Sequence, residues 1–433
     1  MPCNIQIYSP KGSAALDYVL GFIFDDFFGC GFELFSDKES LSGDALVFNY
    51  SDEPLKTAIN ILPCGYLFEK DLTAFPEIYL FEWEGIPAFF KTGGAIPFDL
   101  FSAVFFLLSR AEEYANSDRD KHGRFSAANS LFDTDFIQRP VIDEWLLKVG
   151  IQYLNNTEIS LSKREFKWLN TYDVDVAYAY RHRPAARVLA ASVRNLVRFD
   201  FKSFFERFGV LIGNKPDPYD TYHFQKEVST KYADETIYFF LLANKAKFDR
   251  NLSYDNAGMK SLVRFVEEFA KAGIHPSYES GDNPELISLE IQRLEKLTGA
   301  SVSKSRQHFL RFNLPNTYRK LVKNGISEDY SMGYADLPGF RAGTCTPHYF
   351  FDIIDNTVAK LRLYPLVIME ASLRDYLNCN EREARELIHR LATRVKAVDG
   401  LFTTLWHNDS LTDISENYWR DLYLEMAIEL KTF

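Results

Sequence analysis

Residues 165–180, EFKWLNTYDVDVAYAY, begin as an apolar strand and end on two aspartates separated by one valine. Asp173 and Asp175 follow the apolar run directly. Aspartates at such a position are common in solvated turns and at helix N-caps, where they take part in no chemistry. The spacing alone favours this structural interpretation, so the role of the pair depends on the rest of the chain.

The chain after residue 166 alternates short apolar strands with longer helical stretches. Strands are predicted at FKWLNTY, TIYFFLL (236–242), a short segment ending at Ile274, RQHFLRF (306–312), EDYSMG, YPLVIME (364–370) and LFTTLWH (401–407). This alternation predicts a parallel sheet or barrel. Seven strands fit an incomplete (β/α) barrel better than an eightfold one, and in either architecture the reactive residues lie at the C-terminal ends of the strands.

The chain before this region has the pattern of a mixed α/β domain. Strands are predicted at NIQIYS and DALVFNYS, helices at LDYVLGFIFDDFF and FDLFSAVFFLLSRAEEYAN, and a hairpin that turns at Glu84–Gly85. A polar segment over residues 155–165 separates the two regions. The sequence therefore predicts an N-terminal α/β domain over residues 1–160 and a second domain over residues 161–433.

Composition narrows the function classes. The net charge of −11 argues against a general nucleic-acid binder, which needs a broad basic surface. The five cysteines are scattered without CxxC spacing, which favours free thiols in a reducing compartment. The first residues do not resemble a signal peptide, and no run of about 18 apolar residues predicts a membrane span. A cytoplasmic location is the resulting expectation.

Polar residues that could take part in catalysis or metal binding lie at or near the predicted strand ends. They are Asp173, Asp175, His275, His308, Arg341, Glu370 and His407. Each alone has a structural interpretation, such as a satisfied core histidine, an ion-pair partner or a helix cap. Because the C-terminal ends of parallel strands lie at the same end of a barrel, these side chains are expected to meet at the mouth of the barrel. A carboxylate, a histidine and an arginine together at that mouth are harder to explain by a structural role alone.

The chemistry of such a set follows from its residue types. An aspartate and two imidazoles form a three-ligand site for a divalent cation and leave positions open for water and substrate. The cation polarises an amide carbonyl and acidifies bound water. A second carboxylate takes the proton of that water, a histidine protonates the departing amine, and an arginine keeps the carboxylate ionised.

Five short segments, in this order, resemble the motifs of the NodB-homology polysaccharide deacetylases, carbohydrate esterase family four. They are TYDVD (171–175), HPSYES (275–280), GFRAG (339–343), VIMEASL (367–373) and LWHND (405–409). The resemblance covers about residues 166–433 and looks like a divergent bacterial branch with an extra N-terminal domain. It implies a distorted (β/α)7 barrel and a metal-dependent hydrolase that removes an N-acetyl group, cleaving a linear amide C–N bond, from a sugar or glycan precursor.

The resemblance also implies the roles of individual residues. Asp173 matches the catalytic base and Arg341 its partner. His407 matches the general acid, and Glu370 stands where an aspartate usually tunes that histidine.

Asp175 and His275 match two of the metal ligands that the resemblance implies. The second motif lacks its second histidine, because the residue four positions after His275 is Glu279. His308 is the preferred third ligand, with Glu279 or an incomplete site as the alternatives. Zinc is the favoured metal, with nickel, cobalt or manganese as alternatives.

Two other functions remain open from the sequence. The missing histidine allows a metal-free amidohydrolase that acts on a small C–N substrate, and loss of the metal site would leave a non-catalytic glycan-binding barrel.

Two charged segments also allow more than one interpretation. Residues 96–125 form either a charged helix end with local ion pairs or a loop that closes over the mouth. The basic segment 181–215 is interpreted first as an amphipathic helix packed on the barrel. Its alternative is a peripheral membrane contact that serves a lipid-linked substrate.

Overall fold

Two sheets organise the chain, each with its own hydrophobic core. The computed structural model describes residues 5–155, 157, 159–413 and 417–433. Residues 5–61 contribute a four-stranded sheet and residues 167–407 a nine-stranded sheet. Within the described ranges, no helix is both long enough and apolar enough to cross a membrane. Cys64, Cys345 and Cys379 are thiols rather than disulfides.

The smaller sheet is parallel throughout. Its strands are β1 (Ile5–Tyr8), β2 (Glu33–Phe35), β3 (Leu46–Tyr50) and β4 (Ile59–Ile61), in the order β2-β1-β3-β4. Strands β5 (Phe81–Trp83) and β6 (Ile86–Ala88) form a separate antiparallel hairpin. The predicted turn at Glu84–Gly85 is confirmed, and both residues have positive φ, as a tight two-residue hairpin turn requires.

Among the residues described before position 160, five α-helices accompany this sheet. They are α1 (Ala14–Leu20), α2 (Leu100–Ser109), α3 (Ala111–Ala115), α4 (Thr134–Ile137) and α5 (Val141–Val149). Every residue of α2 is buried. The single helix predicted over FDLFSAVFFLLSRAEEYAN is two helices, because Arg110 between α2 and α3 has a left-handed backbone with φ 59°. A periodicity pattern does not reveal such a break.

The larger sheet contains nine strands. They are β7 (Lys167–Val174), β8 (Glu235–Phe240), β9 (Lys271–Ile274), β10 (Lys304–Ser305), β11 (Glu328–Asp329), β12 (His348–Asp352), β13 (Thr357–Leu363), β14 (Ile368–Met369) and β15 (Leu401–His407). Their order is β12-β13-β11-β10-β9-β8-β7-β15-β14, and every neighbouring pair is parallel except β12–β13. Central strand β7 is buried beyond its first residue, as a strand of a parallel sheet with both faces covered should be.

Eight further helices belong to this part of the chain. They are α6 (Ala185–Val197), α7 (Phe201–Leu211), α8 (Tyr222–Tyr232), α9 (Ala257–Glu267), α10 (Glu285–Thr298), α11 (Asn316–Lys323), α12 (Glu381–Ala397) and α13 (Trp419–Leu430).

The strand predicted over residues 306–312 is wrong. Only Lys304–Ser305 pair as a strand, and His308–Leu310 form a 3-10 turn in which Phe309 and Leu310 have positive φ. Positive φ is uncommon for bulky residues, and nothing in the residue types reveals it here. The apolar alternation of the segment therefore predicted a strand. The turn places His308 beside the segment after β9, where its amide donates to the Pro276 carbonyl at 3.0 Å.

The nine strands form a parallel-rich sheet whose outermost members are β12 and β14. Among the described residues, no strand ladder closes this sheet into a ring. Backbone hydrogen bonds from the Leu366 amide to the Met332 carbonyl and from the Gly339 amide to the Val367 carbonyl (2.9 Å each) join the segment before β14 to the segment after β11.

Buried polar groups connect the residues before 160 with the larger sheet. The carboxylate of Asp143 accepts hydrogen bonds from the hydroxyls of Thr344 and Thr346 (2.6 Å each) and from the Cys345 amide (3.1 Å). The Ile142 amide also donates to the carbonyl of Gly343 at 3.0 Å. Because unmade buried hydrogen bonds are costly, these contacts hold the segment around residue 343 in one position.

Candidate metal centre

The C-terminal ends of the parallel strands bring five of the seven predicted residues to one small cavity. Asp173 lies near the end of β7 and Asp175 just after it, His275 follows β9, and His407 ends β15. Together with His308 they line a cavity of about 210 Å³. Five of the seven side chains expected at one mouth therefore line this cavity, whereas Arg341 and Glu370 do not.

Three of these side chains could hold one metal ion. Ligand atoms of Asp175, His275 and His308 all lie within 4.8 Å of one another. Nε2 of His275 is 3.3 Å from Oδ1 of Asp175, and Nε2 of His308 is 3.3 Å from Oδ2. One carboxylate with two imidazoles is a donor set that suits zinc and related divalent ions.

Hydrogen bonding at His275 supports a cation at this point. Its Nδ1 lies 2.5 Å from the carbonyl oxygen of Arg306, which can only accept, so Nδ1 carries the proton. Nε2 then faces Asp175, whose Oδ1 is buried and has no hydrogen-bond partner. A cation bound between these two atoms, which are 3.3 Å apart, would interact favourably with both.

His308 is held from behind by Asp249. Its Nδ1 is 2.9 Å from Oδ1 of Asp249, and that carboxylate accepts the amides of Tyr278 (2.9 Å) and Glu279 (3.3 Å). A carboxylate behind a ligating histidine fixes its ring and increases its basicity. Burial disfavours the charged ring, but Asp175 and Asp249 raise the pKa of His308 to about 9. The pocket therefore attracts positive charge.

Asp173 is paired with Arg306. Nη1 of Arg306 lies 3.1 Å from Oδ1 of Asp173 and donates to the Thr171 hydroxyl at 2.6 Å, and Nε donates to the carbonyl of Tyr330 at 3.0 Å. Oδ2 of Asp173 faces Nε2 of His275 at 3.4 Å. The ion pair with Arg306 fixes the orientation of the carboxylate.

The prediction that Arg341 is the partner of Asp173 is wrong. Arg341 is buried and makes a two-point ion pair with Glu113 of α3, from Nε at 2.9 Å and from Nη2 at 2.6 Å. Its remaining Nη1 donates to the carbonyl of Gly333. The planar guanidinium of arginine is suited to such two-point pairs, and this pair links α3 to the segment that follows β11. Arg306 occupies the position beside Asp173 instead.

His407 faces the cavity from β15 and is oriented by Glu370. Its Nδ1 is 2.6 Å from Oε1 of Glu370, which also accepts the Ser410 hydroxyl at 2.7 Å. Nε2 points toward Asp175, 3.8 Å from its Oδ2. Burial disfavours the charged ring, but Glu370 next to it holds the pKa of His407 well above its usual value. The expected pairing of Glu370 with His407 is present.

The alternative ligand Glu279 lies outside the cluster. Its side chain is exposed, and its contribution to the site is the backbone amide that binds Asp249. The structure brings His308 beside Asp175 and His275 instead.

Three contributors to the site were not recognised in the sequence. Arg306 lies two residues before His308 in a segment interpreted as a strand, and Asp249 follows β8 at a distance that no motif marks. Arg124 comes from the charged segment 96–125 and lines the cavity, with Nη2 donating to the Tyr376 hydroxyl at 2.7 Å and an ion pair to Asp120. Part of that segment therefore lies at the mouth of the site.

Comparison with known proteins gives a match for the first part of the chain. Residues 5–156 match a family of unknown function, DUF7033. No curated protein sequence matches the chain significantly.

Comparison of the whole fold finds remote similarity to solved structures. A protein from Mycobacterium smegmatis assigned as a polysaccharide deacetylase is 12% identical, with a TM-score of 0.39 over 63% of this chain and 86% of that one. A 4-alpha-glucanotransferase from Thermococcus litoralis is 10% identical, with a TM-score of 0.35 over 61% and 36%. A polysaccharide deacetylase from Bacillus cereus is 11% identical, with a TM-score of 0.26 over 62% and 88%.

Proposed function

We propose that the chain is a metal-dependent hydrolase that removes an N-acetyl group from a sugar or glycan precursor. We further propose that residues 161–433 form a distorted (β/α)7 barrel of the polysaccharide deacetylase type. The observation that carries the proposal is the position of Asp173 and His407 in one cavity with the group Asp175, His275 and His308. An orphaned carboxylate oxygen on Asp175 supports a cation there.

The metal would be held by Asp175, His275 and His308, and zinc suits this donor set best. When bound, it supplies a Lewis acid that polarises the amide carbonyl and lowers the pKa of a water molecule. Arg306 and Asp249 support the two histidines through their Nδ1 atoms, so both Nε2 atoms are available as ligands.

Asp173 is the proposed general base. Its Oδ1 is bound to Arg306, whereas Oδ2 faces the group of three ligands. Arg306 engages Oδ1, so Oδ2 is the oxygen that can accept the proton of the attacking water.

His407 is the proposed general acid. Glu370 binds Nδ1, so the remaining ring nitrogen, Nε2, is directed into the cavity and can deliver a proton to the departing amine. Ser410 and the backbone amide of His407 also bind Oε1 of Glu370, which keeps the acid and its partner in one orientation.

The shape of the cavity is consistent with a small acyl group on a sugar. About 210 Å³ is less than the volume of a typical drug-sized pocket, and Phe309, Leu310, Met369 and Tyr376 supply apolar and aromatic lining. An aromatic ring covers the apolar face of a sugar well. The identity of the sugar, a lipid-linked carrier and the cytoplasmic location stay predictions.

Acetate release from a panel of N-acetylated hexosamines and their oligomers tests the proposal. Zinc-loaded protein should release acetate, chelation should abolish the release, and Asp173→Asn and His407→Gln should lower kcat by roughly 10²-fold or more. His389→Ala, which changes an exposed histidine paired with Glu429, is the matched control and should retain activity. Turnover that survives chelation would support a metal-free amidohydrolase, and glycan binding without turnover would support a binding protein.

A further inference from the structure

A second and larger cavity opens beside the metal centre. Its volume is about 760 Å³, and its wall includes Asp409, which also lines the cavity of the metal centre. Asp249, the residue that holds His308, lies in the same wall. The two cavities are therefore neighbours that one substrate could occupy together.

Five cations surround this second cavity, which we term the basic groove. They are Arg183, Arg187, Arg194, Lys245 and Arg250. Within the described part of the chain, none of the five forms an ion pair with a carboxylate. Arg183 donates to the carbonyl of Tyr178 and Arg250 to that of Lys247. In a chain of net charge −11, such a group of uncompensated cations is unexpected.

The cations of the basic groove destabilise one another. Burial and the charge of Arg187 lower the pKa of Arg183, and burial with Arg187 and Arg183 lowers the pKa of Lys245. Three carboxylates also line the groove, those of Glu206, Asp249 and Asp409. Asp249 is already engaged by His308, and Glu206 accepts the hydroxyl of Tyr180 at 3.2 Å. Among the described residues, none of the three carboxylates lies within ion-pair distance of the five cations.

We propose that the basic groove binds a phosphate or pyrophosphate ester of the substrate while the acylated sugar occupies the metal centre. Planar guanidinium groups match phosphate oxygens in two-point contacts, and five cations can hold more than one negative charge. The identity of the phosphate-bearing molecule, an acylated sugar, rests on the proposed function. The existence of an anion site rests only on the cations of the basic groove.

Calorimetric titration with inorganic pyrophosphate tests the site. Wild-type protein should bind it, and the triple variant Arg187→Ala, Arg194→Ala, Lys245→Ala should bind at least tenfold more weakly, because each charged contact is worth about tenfold. Arg198→Ala is the matched control, since Arg198 ends α6 but does not line the groove. It should bind within about twofold of wild type if screened long-range charge is its only contribution.

A parallel titration of Asp175→Asn separates the groove from the metal. Pyrophosphate binding should persist in this variant even if it loses metal and activity, so the failure of the proposed function would not be confused with failure of the anion site. Absence of pyrophosphate binding to wild type, equal losses in the triple variant and in Arg198→Ala, or loss of binding in Asp175→Asn would overturn the proposal. Uridine diphosphate and a monomeric short-chain phosphatidic acid then distinguish a soluble from a lipid source, and the groove must bind at least one.

The two helices beside the groove provide an independent observation. On α6 only Asn195 is buried, and on α7 only Arg207 and Val210. The apolar side chains point to solvent instead, and the exposed ones are Leu189, Val193, Leu196, Val197, Phe199, Phe201, Phe205, Phe208, Leu211 and Ile212. The favoured interpretation, an amphipathic helix with its apolar face packed on the barrel, is therefore wrong.

Charge identifies the partner that fits this apolar face. Residues 181–215 contain eight Lys or Arg against two Asp or Glu, although the whole chain is acidic. Exposed aromatic and aliphatic side chains interleaved with cations on short helices are typical of segments that lie in the plane of an anionic membrane. Val197 and Phe199 are 72% and 79% exposed, which is costly in water unless a partner covers them.

We propose that α6 and α7 lie on the surface of an anionic lipid bilayer. Co-sedimentation with vesicles tests this docking, using phosphatidylglycerol mixed with phosphatidylcholine and pure phosphatidylcholine for comparison. Wild type should sediment with the anionic vesicles, and Phe199→Glu with Phe205→Glu should reduce the bound fraction at least tenfold. Ile354→Glu is the matched control, because Ile354 is exposed elsewhere on the chain, and it should bind like wild type.

Wild-type protein that stays in the supernatant would overturn the membrane proposal. Analytical ultracentrifugation provides the second readout, because a second copy of the chain could cover the same face. A dimer that Phe199→Glu with Phe205→Glu dissociates, without any vesicle binding, would also overturn it.

Discussion

At the scale of single residues, the metal centre depends on the groups behind its ligands. The carbonyl of Arg306 and the carboxylate of Asp249 bind the Nδ1 atoms of His275 and His308. These contacts set which ring nitrogen is available to a metal. The ligands could be suggested from the sequence, whereas their supports come from distant positions and depend on the fold.

Asp249 should therefore matter for metal affinity although it is not a ligand. Asp249→Asn removes the charge behind His308 and should weaken zinc binding by about 10- to 100-fold. Titration of the zinc-loaded protein with a competing chelator measures the change. Asp255→Asn, a change to an aspartate outside the site, is the control, and equal affinities for the two variants would contradict this role.

Substitution of Arg306 should lower activity, whereas substitution of Arg341 should lower stability. Arg306→Met leaves the base Asp173 without its cation and should lower kcat by roughly 10²-fold, the usual contribution of a general base. Arg341→Met breaks a buried pair with Glu113 and should lower the free energy of unfolding by about 3 kcal/mol. Urea unfolding and steady-state kinetics on both variants separate the effects, and the reverse pattern would restore Arg341 as the partner of Asp173.

At the scale of elements, short helix α3 is held to the larger sheet by charge. Glu113 of α3 binds Arg341 and also Arg110 at 2.8 Å, all three being buried. Although burial opposes its charged form, Arg341 and Arg110 lower the pKa of Glu113 to about 2. A carboxyl whose pKa falls on folding stabilises the native state above its unfolded pKa, and this contribution is lost as pH falls toward the folded value.

The pH dependence of stability should accordingly differ between wild type and Glu113→Gln. Between pH 6 and pH 3 the wild type should lose about 2 kcal/mol more than the variant, because only the wild type has this titrating group. Urea unfolding at both pH values measures the difference. Since other carboxyl groups titrate in both proteins, parallel losses would show that Glu113 is not held in its charged form by the two arginines.

The strands show how much of the fold could be predicted. Strand β15 coincides with LFTTLWH, and β7 and β8 lie close to their predicted positions, because long apolar β-branched and aromatic runs have a clear signal. The turn at His308–Leu310 resembled a strand, since its positive φ angles leave no trace in residue type. Strands β12 and β13 were missed because they form a hairpin within a region interpreted through its motifs.

In the whole molecule, residues before position 160 and residues of the later part of the chain make buried contacts with one another. Tyr334, Phe351 and Ile353 from the later part of the chain pack in the core of the first part. Asp143 and Glu113 bind polar groups of the segment around residue 343. The predicted boundary near residue 160 lies between the two sheets along the sequence. The residues on either side of this boundary nevertheless pack together through polar and apolar contacts.

A fragment of residues 161–433 should therefore not fold stably by itself. Arg341 would lose its counter-ion, and three core side chains would be exposed to water. Circular dichroism during thermal unfolding should show a broad, early transition, and co-expression with residues 1–160 should restore a cooperative one. A fragment that unfolds cooperatively at the temperature of the full chain would contradict this dependence.

If Asp175, His275 and His308 bind one divalent metal, the metal content of the purified protein will show it. Mass spectrometry after dialysis against zinc and then buffer should find about one zinc per chain in wild type. Asp175→Asn, His275→Ala and His308→Ala should each lose it, whereas Glu279→Ala and the exposed control His223→Ala should retain it. Wild-type protein that retains no zinc, nickel, cobalt or manganese would contradict metal binding by these three residues.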